Sequence, residues 1–314
     1  MARPLDGPGP KALDVERLKS LALPTDPQEG KGDRPMRRIA VVNLKGGTGK
    51  STTATALAVG LARRGKRVLF VDCDAQANAT WTLTGGQGAD PPTLAEVLMR
   101  QAPAEDAIRP TRVEGLEILP GDASLSGVNV SLVPVANRDI RLRSALGPLG
   151  DRWDFVILDT APTVTSILVN ALVYAAEVVV PVDPGMYALL GLVQLETSIA
   201  EVREAYGNEA LRLTGLLMTR VRRDNVCRDV EAELRSRFGR LVYEATIPLS
   251  AKIEEAHTRG QTIAEYAPAS PGGVAYERLV TEVLDDGRAQ DGGRGDAVGS
   301  APVEADAGGG SEAA

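Results

Sequence analysis

Seven short apolar runs punctuate the chain: "RIAVVN", "RVLFVD", "LEILPG", "DFVILD", "EVVVPVD", "RLTGLLMT" and "LVYEATIP". Most are nearly continuous in Val, Leu and Ile, the pattern of strands buried on both faces. Between them, apolar residues recur at helical spacing. The predicted helices are Gly49–Arg64, Leu94–Arg100, Ile140–Leu146, Ser166–Ala175, Leu189–Tyr206, Val226–Phe238 and Val274–Leu284. Strands alternating with helices predict a doubly wound α/β domain, with a mostly parallel sheet and helices on both faces. Such a sheet binds its ligand at the C-terminal ends of the strands. No internal repeat interrupts the pattern.

The two ends read differently. Residues 1–36 are rich in Pro, Gly and charge, and predict a mobile arm in which "KALDVERLKSLAL" has the spacing of a short amphipathic helix. Residues 287–314 form a low-complexity Gly/Ala tail with too little apolar surface to fold, so the folded domain is expected over 37–286. The chain of 314 residues carries a net charge of −7. Seven acids against two arginines from Asp285 to Ala314 supply −5 of it, and the arm is balanced. The core is therefore near neutral, which leaves room for a local basic face. Only two cysteines, Cys73 and Cys227, and one histidine, His257, are present. Their number and spacing exclude a zinc site, a disulfide framework and Ser-His-Asp chemistry. No apolar run approaches 18 residues and no signal-peptide core opens the chain, so a cytoplasmic protein is expected.

The chemistry concentrates after the first strand. "RIAVVN" leads into "LKGGTG" and then into the helix "KSTTATALAVGLARR". Glycines at 46, 47 and 49 let successive backbone N–H groups point at phosphate oxygens, and the helix N-terminus adds its positive end. In this phosphate loop Lys50 is expected at the β- and γ-phosphates, the Ser51 hydroxyl on Mg²⁺, and Thr52 at the α-phosphate, with Thr48 within the turn. Later, "WDFVILDTAP" runs four apolar residues into Asp159, placed to hold the metal through water; an acid there could also cap the next helix. In "RVLFVDCDAQANAT", Asp72 ends a strand and Asp74 lies just beyond it, where a carboxylate can orient a water.

The strict phosphate-loop pattern fails at its first glycine, where Leu44 stands, and Lys45 follows it. This form, "KGGTGKST", resembles the deviant Walker A loop of the ParA/MinD family of ATPases. The "VDCDAQANAT" segment resembles that family's "VDxDPQGNAT", with Ala75 and Ala77 in place of Pro and Gly. The stretch from "YEATIPLSAKIEEAHTRG" to "YERLVTEVL" is similar to the family's C-terminal end, with Leu249, Ser250 and Lys252 at positions of its Arg-Asn and next Arg. The resemblance covers roughly residues 36–285. It implies ATP and Mg²⁺ as cofactors and catalytic roles for Lys45, Lys50 and Asp74. It also implies a nucleotide-sandwiched homodimer in which Lys45 reaches the partner's phosphates, and Pro248 beside the adenine.

Within the family, the acidic tail does not suit the membrane-binding end of MinD-like members, and no cysteine pair suits an iron–sulfur cluster. The resemblance then points to a short, Soj-like partitioning ATPase that binds DNA non-specifically and is released by a ParB-like activator. Arg220, Arg222 and Arg223 in "TRVRRDN", with Lys252, are the candidate phosphate contacts, and Arg228 and Arg259 lie near them in sequence. Arg222 and Arg223 are expected to lie away from the phosphate loop. Positioning of another cargo (carboxysome, chemoreceptor array, division site) and metabolic phosphoryl transfer on the same fold are the alternatives.

Overall fold

A computed structural model describes residues 36–185 and 190–291. The amphipathic segment of the arm and most of the tail lie outside the described residues. All seven expected strands form, and an eighth joins them. They are β1 (Arg37–Val41), β2 (Val68–Cys73), β3 (Arg109–Pro110), β4 (Leu116–Leu119), β5 (Phe155–Thr160), β6 (Glu177–Val182), β7 (Arg212–Val221) and β8 (Val242–Pro248). One sheet carries them in the order β3-β4-β2-β5-β1-β6-β7-β8. Every pairing is parallel except the short β3–β4 contact. β2, β5 and β6 are buried along their whole length, as their unbroken apolar runs predict.

The helices are α1 (Lys50–Ala62), α2 (Asn78–Leu83), α3 (Leu94–Leu98), α4 (Ala104–Ala107), α5 (Leu125–Ser131), α6 (Arg141–Leu146), α7 (Ser166–Tyr174), α8 (Leu190–Tyr206), α9 (Asn225–Phe238), α10 (Ala251–Thr258), α11 (Ile263–Tyr266) and α12 (Pro271–Asp291). The expected helix at Leu189–Tyr206 is described from Leu190, the one expected at Val274–Leu284 starts earlier, at Pro271, and α12 runs past the expected domain boundary at 286. Five helices went unpredicted: α2, α4, α5, α10 and α11.

Alternate strand residues feed two cores. Ile39, Val41, Phe70 and Ile157 pack with Leu57 and Leu61 of α1 and Leu279 and Val283 of α12. Ala40, Leu69, Val71 and Leu158 pack on the other face with Ile167 and Leu172 of α7 and Leu195 and Ile199 of α8. α1 and α12 touch closely at Gly60, where a Cβ would lie 2.5 Å from Val280 Cγ2.

The edges of the sheet are occupied. β3 is two residues long and ends in Pro110, which has no N–H to offer. On β8, the backbone N–H groups of Glu244 and Ala245 donate to the Glu282 carboxylate of α12, at 2.8 and 2.7 Å. Arg235 of α9 donates to the Tyr243 carbonyl at 3.2 Å. The chain thus leaves β1 in the middle of the sheet, between β5 and β6, and the phosphate loop emerges at that centre.

Candidate nucleotide site

The loop between β1 and α1 is held from three directions. Asn43, buried at the end of β1, donates to the Pro181 carbonyl of β6 at 2.7 Å, and its Oδ1 accepts from the Lys45 N–H at 2.8 Å. Thr219, buried on β7, donates its hydroxyl to the Thr48 carbonyl at 2.8 Å. Lys50, 7% exposed, donates from Nζ to the Lys45 carbonyl at 3.3 Å. Gly47 and Gly49 take left-handed backbone, with φ of 74° and 82°, which a side chain would strain. Gly46 and Gly47 have nothing within 4 Å of a notional Cβ, so a phosphate can approach the backbone there. Ser51 and Thr52 open α1 half-buried. Neighbouring strands and the expected loop geometry therefore agree with a phosphate cradle.

Beside it lies an acidic pair. Asp72 of β2 and Asp159 of β5 are register partners, both fully buried. Asp72 is used up structurally. Its carboxylate accepts from the Thr80 N–H at 2.8 Å, the Thr80 hydroxyl at 2.7 Å and the Asp74 N–H at 3.2 Å. Burial pushes its carboxyl up to about 6 against those hydrogen bonds. Both oxygens of Asp159 are buried with no hydrogen-bond partner. Burial, and the Asp72 carboxylate after it, push Asp159 well above the usual range, while Ser51 and Lys50 favour its ionised form. Lys50 is shifted down by burial, opposed by Asp159 and Asp74. An orphaned buried carboxylate beside a serine hydroxyl and a lysine fits a hydrated divalent cation next to phosphates. Asp74 is half-buried in the following turn, where its Oδ1 accepts from the Gln76 N–H at 3.0 Å.

From the loop a cleft of about 760 Å³ extends between α2 and α10, lined among others by Thr52, Ala77, Trp81, Arg220, Pro248 and Tyr276. That volume suits a nucleotide-sized ligand. Pro248, which the resemblance places beside the adenine, lines this cleft. Trp81, 44% exposed, faces the same space and was not anticipated. His257 closes one side; its Nδ1 lies 3.1 Å from the Thr82 hydroxyl, and burial lowers its pKa.

Lys45 departs from the rest of the loop. Its backbone is fixed, yet its side chain is 47% exposed, and its Nζ lies 3.8 Å from Asp183 at the end of β6. Arg220 and Arg222 approach the same carboxylate, at 3.7 and 4.0 Å. Two of the four expected DNA contacts therefore sit beside the phosphate loop, and Arg220 lines the cleft itself. The expectation that Arg222 lies away from the loop does not hold, because β6 and β7 end next to each other. Arg223 is exposed beyond them. Lys252 of α10 pairs with Glu255 at 2.7 Å and lies 5.7 Å from the Tyr266 ring centre, which Arg259 also covers at 5.2 Å.

Residues 36–213 match the protein family described as AAA domain. The chain is 43% identical over 250 residues to the chromosome-partitioning ATPase Soj of Thermus thermophilus, covering 79% of this chain and 96% of that one. It is 38% identical over 253 residues to the chromosome partitioning protein ParA of Caulobacter vibrioides, covering 80% and 94%. The chain belongs to the ParA/Soj family of partitioning ATPases. Among solved structures, cobyrinic acid a,c-diamide synthase from Mycobacterium smegmatis, with a bound ATP analogue and magnesium, shares its fold. That likeness has a TM-score of 0.69 at 30% identity, over 82% of this chain and 97% of that one. The ParA/Soj fold expected from the strand pattern and from "KGGTGKST" is the fold observed.

Sequence reasoning missed Asn43, Thr219, Asp183 and Trp81. Asn43 and Asp183 close apolar runs, the same signal that marks Asp159; Thr219 and Trp81 carry no local signal.

Proposed function

We propose that this chain is a DNA-partitioning ATPase whose ATP-bound homodimer binds DNA without sequence preference. A ParB-like protein stimulates hydrolysis and releases it. Its place is the cytoplasm, on the nucleoid; among the described residues no helix is long and apolar enough to cross a membrane. One observation carries the reading. The Lys45 backbone is held through Asn43 while its half-exposed side chain is tied, among the described residues, only by a 3.8 Å ion pair with Asp183, so its ammonium can serve a phosphate outside its own loop.

Bound with Mg²⁺, ATP supplies the γ-phosphoryl group and the charge that a second protomer can recognise. The chain's own residues do the rest. The loop N–H groups and Lys50 hold phosphate oxygens, and Ser51 with Asp159 holds the hydrated cation. Asp74 orients the attacking water. Lys45 of one protomer neutralises charge at the partner's phosphates, which ties dimerisation to ATP and not to ADP. The dimer then brings together basic residues of two copies, among them Arg220, Arg222, Arg223 and Lys252, against DNA phosphates.

The test is Lys45→Ala. ADP affinity should stay as in wild type, while DNA- and activator-stimulated ATPase should fall by roughly 10³-fold, the scale of a cation supplied in trans. Stimulated turnover equal to wild type would remove the sandwich dimer from consideration. A second reading, phosphoryl transfer to a small acceptor, draws on the likeness to a diamide synthase. Fast turnover that needs such an acceptor and ignores DNA would favour it.

A further inference from the structure

The end of β6 holds a carboxylate with more cations than it can neutralise. Asp183 lies 3.8 Å from Lys45 Nζ, 3.7 Å from Arg220 Nε and 4.0 Å from an Arg222 guanidinium nitrogen. Its side chain is only 20% exposed, so screening by water is incomplete. The three cations are not equally bound to it. Arg222 has a nearer partner in Asp224 at 3.1 Å and donates to the Pro184 carbonyl at 3.3 Å. Arg220 extends from a residue with left-handed backbone, φ 55°, and lines the nucleotide cleft. For Lys45, Asp183 is the carboxylate within ion-pair distance among the described residues.

The two ends of this contact are mechanically linked. The Asn43 side chain joins Pro181, two residues before Asp183, to the Lys45 amide. Lys45 is thus held on β6 twice, by its backbone through Asn43 and by its side chain through Asp183. Only the second contact can be broken without disturbing the loop. A pair at 3.8 Å with a half-exposed lysine is weak, as a contact that must open reversibly has to be.

We propose that Asp183 is a latch for Lys45: it keeps the ammonium on its own protomer until a partner's ATP offers a stronger anion. It therefore sets how much ATP is needed to dimerise. The inference rests on the proposed function, since the latch has meaning only if Lys45 acts across a dimer. Each dimer opens two latches, so the effect enters twice. Asp183→Asn should tighten the ATP-bound dimer by about tenfold. At 1.4 kcal/mol per decade that is about 0.7 kcal/mol per protomer.

Two measurements on the full chain decide it. The first reads the monomer: labelling of lysines by an amine-reactive reagent, without nucleotide, followed by mass spectrometry. In Asp183→Asn, Lys45 should react several-fold faster because its counter-ion is gone, while other exposed lysines keep their rates. The second is dimer formation against ATP concentration, by sedimentation, with Asp183→Glu as the charge-keeping control. The Asn variant should dimerise at lower ATP, and the Glu variant should stay near wild type. Unchanged Lys45 labelling overturns the latch, because the contact is then not there to break. Raised labelling with an unchanged dimer midpoint overturns it too, because the contact then gates nothing. If wild type itself fails to dimerise in ATP, the proposed function falls, and the latch falls with it. Thermal melting checks that the Asn variant is folded.

Discussion

Replacing Asp159 by asparagine should stabilise the metal-free protein and abolish its response to magnesium. Asp72 gives the scale. Its carboxyl is pushed from 3.8 to about 6 even though three donors serve it. A shift of about two units is about 3 kcal/mol of cost to the ionised form. Asp159 is equally buried, and burial with the Asp72 carboxylate pushes it well above the usual carboxylate range against Ser51 and Lys50. The sign follows from proton uptake. A carboxyl raised in the folded state holds its proton longer than in the unfolded chain, so stability falls as pH rises from the ordinary value through the folded one. At neutral pH the Asn variant avoids that cost. It still buries an amide without partners, which costs about 1–3 kcal/mol, so a net gain of about 0–2 kcal/mol remains. Urea unfolding at pH 7.5 in EDTA should show that gain. With ADP and Mg²⁺ at a hundred times the dissociation constant, wild type should gain about 2.7 kcal/mol. The magnesium-dependent part of that gain should vanish in Asp159→Asn, and the order of stability should reverse. An Asn variant that is less stable in EDTA, or that keeps the full magnesium effect, would refute the assignment of Asp159 to the metal.

Three further outcomes are expected. Asp74→Ala should bind ATP, dimerise and remain on DNA, seen as a persistent dimer on size exclusion; a variant that stays monomeric in ATP gives Asp74 another role. Thr219→Val removes the hydrogen bond that holds the Thr48 carbonyl, worth about 1 kcal/mol, so ADP affinity by calorimetry should drop about fivefold; unchanged affinity would show that β7 does not brace the loop. With about eight phosphate contacts per dimer, log K for DNA should fall with log[salt] at a slope of roughly −7, and Arg222→Ala with Arg223→Ala should weaken all sequences and flatten the slope by about one unit per lost contact. Wild-type binding with an unaltered slope in that double variant would move the DNA face elsewhere.

Much of this molecule is written locally. Unbroken apolar runs such as "DFVILD" read as buried strands, and strand, glycine turn and helix in that order read as an anion cradle. Asp159 is legible for the same reason: a charge ending a buried run needs a reason to be there. What the sequence hides is mostly contact between distant segments. Thr219 lies 171 residues from the carbonyl it holds. Arg220 and Arg222 look like a solvent-facing basic run until β6 and β7 are aligned and Asp183 appears between them and Lys45. Other misses were readable. Thr262 and Glu265 make a capping box that announces α11, and the same chemistry at Thr93 and Glu96 starts α3. β3 is too short for periodicity to register, and Trp81 has no pattern to distinguish it from a core residue.

The closed margins of the sheet have a consequence for life at high density. Any protein that assembles in many copies is exposed to the oldest hazard of β structure, recruitment of strand by strand into an open-ended fibre. Here one margin ends in a proline, and the other has the Glu244 and Ala245 N–H groups claimed by Glu282 and the Tyr243 carbonyl claimed by Arg235. Copies can therefore crowd together while their sheets stay finite. In the proposed dimer, association is left to the surface around the phosphate loop, where it can be undone.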